Sequence, residues 1–224
     1  LTYPATISHL RRVIIPIGKE GKNVKIRQIH PTQAFFVDII ESPEGKSIGI
    51  VKNLALSTNI TTGCNSVLVK ELVQNCENFT RTEKFFEQKD WYKVYVNGAL
   101  IGLSESPHEL LSELREMRKN SIFSSQVSFY CDDADKEIRV LCDHGRFIRP
   151  VMTVENNKLL LTKDMMSMTW NELADNDIIR YIDCNEVENS VIAMYPSDLN
   201  KIVGQKYDYC EIHPTLMLGV CSAI

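Results

Sequence analysis

Asn97-Gly98 stands between two short apolar stretches, and that dipeptide leaves the surrounding backbone little choice. A two-residue hairpin needs positive φ at both central positions, and Asn-Gly adopts it at low cost. Before the pair, Trp91/Lys93/Tyr95 alternates with Tyr92/Val94/Val96; after it, Ala99–Leu103 reads as the return strand. A well-marked helix follows at Pro107–Lys119. Ser106 is placed to supply the N-cap oxygen, Pro107 fits the first turn, and Glu109 can reach back in a capping box. Leu110, Leu111, Leu114 and Met117 form one apolar stripe, and Arg115, Arg118 and Lys119 lie where the helix dipole favours cations. A hairpin followed closely by an amphipathic helix predicts a mixed fold.

The rest of the chain fits that class. Thr6–Val13 reads as a helix end with Leu10 on its buried side, and Lys19–Asn23 as an exposed polar loop after Pro16-Ile17-Gly18. Gln33–Ile40, apolar and unbroken, predicts a buried strand ending at the turn Glu41–Gly45, with Ile48–Leu56 as a second apolar segment. Leu68, Leu72 and Cys76 predict a helix over Val67–Phe79. Strands are expected at Gln126–Tyr130 and Glu137–Cys142 around an acidic turn, then at Phe147–Glu155, Lys158–Thr162, Ile178–Asp183 and Ser190–Met194. A short helix over Thr169–Asn176 is capped by Thr169, with Glu172 at the box position. The expectation is an α+β chain of several small mixed modules with a β-rich second half.

The net charge is −4, but it is unevenly divided. Residues 1–30 carry Arg11, Arg12, Lys19, Lys22, Lys25 and Arg27 against Glu20 alone, a net of +5, which leaves −9 for the remainder. A polyanionic partner would meet the first thirty residues and be repelled by much of the rest. On composition alone a solvated basic loop is the simpler reading. Seven scattered cysteines without a C-x-x-C pair argue against a disulfide framework and a structural zinc site, and point to a reducing, intracellular compartment. No apolar run approaches the roughly 20 residues of a membrane span. The five histidines lack ligand spacing, and Asp132-Asp133-Ala134-Asp135 lacks the glycine and terminal glutamate of a calcium loop, so a solvated hairpin turn is the better reading. Phosphate-loop, dinucleotide-binding and nucleophile-elbow motifs are absent.

Function enters through the order of short segments. Ser8-His9-Leu10-Arg11-Arg12, Pro16-Ile17-Gly18, Arg27-Gln28-Ile29-His30, Glu41-Ser42-Pro43-Glu44-Gly45 and Gly49-Ile50-Val51-Lys52-Asn53-Leu54 follow one another. Downstream come Asp143-His144-Gly145-Arg146, Tyr181-Ile182-Asp183 and Cys210-Glu211-Ile212-His213-Pro214. The series resembles the second-largest (β-type) subunit of multisubunit DNA-dependent RNA polymerases, in its eukaryotic, archaeal and large-DNA-virus forms. The chain departs from that pattern at Gln33-Ala34-Phe35, at Ile39-Ile40 and at Lys46, as a divergent member would. It opens at Leu1 without an initiator Met and closes on an apolar stretch, as expected for an internal section of a longer protein.

The resemblance implies a fork region over about 1–60, a first external domain over 65–145, a second over 146–204, and the start of a hybrid-binding region over 205–224. It implies part of a nucleotidyltransferase core that positions template DNA and the RNA–DNA hybrid, with this section inactive alone. Arg11, Arg12, Lys19, Lys22, Lys25 and Arg27 would contact nucleic-acid phosphates, and Gln28, Glu44 and Lys46 would lie near the active centre. The family's catalytic magnesium is held by the largest subunit, so no cofactor or metal ligand is expected here. Partners would be the largest and other polymerase subunits, DNA and the hybrid, in the nucleus, or in the cytoplasm for a virus. The alternative is a standalone polymerase-derived interaction module that binds other subunits or transcription factors. Apart from phosphate contact, Arg11 and Arg12 could pair with carboxylates at a helix end, and Glu44 could bond local amides.

Overall fold

The computed structural model describes residues 2–18, 20–21, 23–81, 90–202 and 204–224. Its first part joins helix α1 (Tyr3–Leu10) to strand β1 (Arg12–Ile14), which pairs antiparallel with β2 (Val51–Asn53). Leu10 is exposed, contrary to expectation; the buried residue of α1 is Ser8, whose hydroxyl donates to Glu41 Oε1 at 3.0 Å. Gln33–Ile40 is likewise not a strand. Phe35 has φ +64°, which breaks an extended path, and only Val37 keeps a bridge, to Leu54. The apolarity of that run reflects burial of Phe35, Phe36 and Val37 in a turn, a case that composition does not separate from a strand.

Strand β3 (Asn59–Thr62) leads into a five-stranded module. It contains α2 (Ser66–Gln74), β4 (Thr80–Arg81), β5 (Tyr92–Val96), β6 (Ala99–Ser104), α3 (Pro107–Lys119), β7 (Ser128–Asp132) and β8 (Glu137–Leu141). The sheet order is β4-β6-β5-β8-β7, with β5 and β8 parallel and the other neighbours antiparallel. Asn97 and Gly98 both have positive φ, so the β5–β6 turn forms as the sequence requires. The acidic turn joins β7 to β8, with Asp132 Oδ1 accepting from the amides of Ala134 and Asp135. Leu110, Leu111 and Leu114 of α3 are buried with Val94, Val96, Phe129, Ile138 and Val140 of the sheet, and Met117 packs at the margin. Ser106 makes no side-chain cap bond. On α2 the buried stripe is Val69 and Val73, with Cys76 just beyond the helix, while Leu68 is exposed. The expected stripe was one residue off at its start, because both sets repeat at about four.

Twelve-residue strand β9 (His144–Glu155) organises the remainder. It pairs with β3, with β10 (Lys158–Leu159), with β11 (Ile179–Asp183) and with β13 (Tyr209–Cys210), all antiparallel. Short β12 (Ile192–Ala193) runs parallel to β13. Met152 is opposite Ile179 on one edge and Cys210 on the other, so β9 is buried within its sheet. Helix α4 (Trp170–Asp175) starts with the expected capping box between Thr169 and Glu172, and α5 (Cys184–Glu188) follows β11 directly.

Buried ion pairs tie these parts together. Arg149 of β9 meets Glu211 at 2.6 Å, and its guanidinium lies 4.8 Å from the Phe35 ring centroid. Arg118 of α3 meets Glu186 of α5 at 2.9 Å and donates to Val127 O, while Phe129 N donates to the same Glu186 oxygen. Such pairs add little net stability over apolar replacements, yet leaving one member alone is costly. Glu211→Ala is therefore expected to cost about 3–5 kcal/mol in urea unfolding, whereas Glu20→Ala, at the exposed Lys46 pair, should leave the midpoint unchanged.

Candidate nucleic-acid interface

The basic segment is built from α1 outward. Arg11 caps α1, and its Nη2 donates to Ala55 O at 2.7 Å and Thr58 O at 2.9 Å. Thr58 is buried, and its hydroxyl reaches the carbonyls of Phe35 and Phe36. Arg11 thus fixes the 55–58 loop onto the Phe35-Phe36 turn, and it pairs with no carboxylate among the described residues. Arg12 differs. It stands in β1 opposite Asn53, is exposed, and has no hydrogen-bond partner among the described residues. With Ile14, Glu41, Ser42, Pro43 and Val51 it lines a groove of about 350 Å³.

Arg27 closes the base of the basic loop. Its Nη1 donates to Lys46 O at 2.8 Å and Ile48 O at 2.9 Å, and its Nη2 donates to Gly21 O at 3.0 Å. The backbone of Arg27 packs flush against Gly49: a Cβ there would sit 2.2 Å from Arg27 O, and Gly49 has φ +68°. The Glu41–Gly45 turn is therefore held from two sides, by Ser8 on Glu41 and by Arg27 just beyond Gly45. Glu44 is exposed and makes no cap bond to the short helix it precedes, Gly45–Ser47, so it is not tied up by local amides. Lys46 is exposed and pairs with Glu20 at 3.1 Å. Lys25 and Gln28 are also exposed. Lys19 and Lys22 lie outside the described residues.

Sequence reasoning overlooked Lys52. It is buried, its amine donates to Gln33 Oε1 at 2.8 Å, and it faces a largely apolar cavity of about 360 Å³. A lone lysine inside the apolar segment Ile48–Leu56 was the available signal. Burial pulls its pKa below the ordinary 10.5. Among the described residues no three His, Cys, Asp or Glu side chains converge as a metal site would need, and no helix is long and apolar enough to cross a membrane.

The described residues thus form mixed modules linked by buried arginine pairs, with a basic edge toward the amino-terminal end. Three family models match in succession: RNA polymerase Rpb2, domain 3, over residues 1–60; domain 4 over 94–155; and domain 5 over 170–214. The chain is 37% identical, over its whole length, to DNA-directed RNA polymerase II subunit 2 of Arabidopsis thaliana, covering 20% of that protein. It is 35% identical over its whole length to the probable DNA-directed RNA polymerase II subunit RPB2 homolog of Invertebrate iridescent virus 6, covering 19% of it. A third relative is DNA-directed RNA polymerase subunit Rpo2 of Saccharolobus shibatae, 34% identical over 97% of this chain and 21% of the relative. The chain belongs to the Rpb2 family of second-largest RNA polymerase subunits, and it spans about a fifth of the length of these relatives.

Lys52 gives the interface region a pH signature. With its folded pKa lowered, the unfolded chain binds more protons between that value and 10.5, so stability rises with pH in this window. Urea midpoints of the wild type should gain on those of Lys52→Met as pH climbs toward 10.5; parallel curves would contradict this.

Proposed function

We propose that the chain works as part of an RNA polymerase core, with its amino-terminal face against the backbone of template DNA and the RNA–DNA hybrid. The observation that carries this reading is a division of labour among the cations. Arg11 and Arg27 direct donors to backbone carbonyls and shape the surface; Arg12 and Lys25 stand exposed upon it. Phosphate contacts of this kind set position without reading sequence. Lys19 and Lys22, adjacent in the chain to Glu20 and Gly21, would add to the same field. Glu44, Gln28 and Lys46 would lie toward the active centre, where the largest subunit would supply the magnesium and its ligands.

Other polymerase subunits are the proposed protein partners. Tyr3, Leu10, Ile14, Ile29 and Ile40 are exposed apolar side chains that such partners would cover. The working parts in this proposal are residues 1–60, 65–145, 146–204 and 205–224. A nuclear setting follows, or a cytoplasmic one for a viral source.

The test is a salt titration of the chain with a fluorescent RNA–DNA hybrid. Binding should be weak and fall steeply with salt. Arg12→Glu and Lys25→Glu should each lower affinity at every sequence and flatten the log K against log salt slope by about 1. Slopes and affinities equal to wild type in both variants would remove the phosphate role and favour an interaction module that binds proteins alone.

A further inference from the structure

The five-stranded module joins the rest of the molecule through two adjacent chain segments. The chain passes in through Gly63-Cys64, before α2, and out through Cys142-Asp143, after β8. These segments extend the β3–β9 pairing: Thr62 is opposite His144, and two residues on, Cys64 N donates to Cys142 O at 2.9 Å. They run very close, since a Cβ on Gly63 would come within 2.9 Å of His144 N. Gly63, at φ +75°, bends the segment, but the Cys64 thiol still lies close enough to Cys142 for the two to interact, and a hydrogen-bonded antiparallel pair has its Cα atoms about 5.5 Å apart. That separation lies inside the roughly 4.4–6.8 Å that a disulfide spans.

The two thiols also differ in a useful way. Cys64 is exposed, whereas Cys142 is buried and held by the hairpin turn: Asn97 Nδ2 donates to its sulfur at 3.2 Å, and Asn97 Oδ1 accepts from its amide at 2.8 Å. Burial, and then the neighbouring Cys142, raises the Cys64 thiol pKa, while Arg146 opposes the shift. No third metal-ligating side chain joins the pair among the described residues, which leaves thiol chemistry rather than metal binding.

We propose that Cys64 and Cys142 form a reversible disulfide clasp across the neck of this module, made by exchange with a low-molecular-weight disulfide such as oxidised glutathione. The Cys64 thiolate attacks one sulfur of that disulfide, forming a mixed disulfide and releasing one thiolate. The Cys142 thiolate then attacks the Cys64 sulfur and releases the second. The protein dithiol is oxidised, the small disulfide is reduced to two thiols, and the protons lost by the cysteines appear on those thiols. The clasp would turn residues 65–141 into a closed loop and fix the module on β9. Excess reduced thiol would reopen it.

The test uses the full 224-residue chain, incubated with oxidised glutathione, quenched with acid, alkylated and mapped by peptide mass spectrometry. A Cys64–Cys142 linked peptide is expected roughly tenfold faster than any other pairing of the cysteines, and faster at higher pH, as the thiolate requires. Cys64→Ser, an exposed change, should abolish this early loss of two thiols, and Cys142→Ser should trap glutathione on Cys64. Linked peptides scattered by exposure would overturn the clasp. So would wild-type Cys64 retaining glutathione as long as it does in Cys142→Ser.

Discussion

Strand β9 is the member to which the other parts are registered. It receives β3 from the amino-terminal part, β11 from the middle of the second half and β13 from the carboxyl-terminal segment, and it follows the five-stranded module directly. A slip of one residue along it would exchange its two faces and displace all three partners at once. Arg149 guards against that slip. Its guanidinium has one carboxylate, Glu211, and two aromatic faces, Phe35 and Phe36, within reach, and they come from segments far apart in sequence. A buried charge satisfied in this register would be stranded in others.

Through Phe35 and Phe36 the same constraint reaches the basic edge. Thr58 bonds the carbonyls of both phenylalanines, and Arg11 bonds the carbonyl of Thr58, so a continuous line of contacts runs from β9 to the end of α1. Arg12 is the next residue along, pointed into open groove. The described part of the basic face is thus braced from the sheet, with Arg27 and Gly49 holding its other flank. Under the proposed function such bracing suits a surface that would hold a charged backbone, because little conformational freedom is then lost on contact.

What could be read in advance was local. The Asn97-Gly98 turn and the Thr169 capping box are each set by a few consecutive residues and form as expected, and α3 has its expected extent, Pro107–Lys119, although Ser106 makes no cap bond. The family could be read from ordered motifs for the same reason. Segments governed by distant contacts depart from the sequence expectation: within Gln33–Ile40, Phe35 and Phe36 are buried with Arg149 over both rings while Ile39 and Ile40 are exposed, and the positive φ of Phe35 has no sign in the composition of the run. The site divides in the same way. That residues 1–30 are basic is plain from the sequence, but which arginines are engaged depends on carbonyls more than fifteen positions away, at Lys46 for Arg27 and at Ala55 and Thr58 for Arg11.

This amino-terminal face, rather than the acidic remainder, is the surface proposed to lie against nucleic acid. Photocrosslinking the chain to an RNA–DNA hybrid carrying 4-thiouridine, with adducts mapped by mass spectrometry, tests it most directly. Adducts are expected on the segment from Arg12 to Gln28 and on the neighbouring Glu41–Ile48 turn, lost as salt rises. Adducts concentrated instead around the acidic β7–β8 turn or along β11 would contradict it.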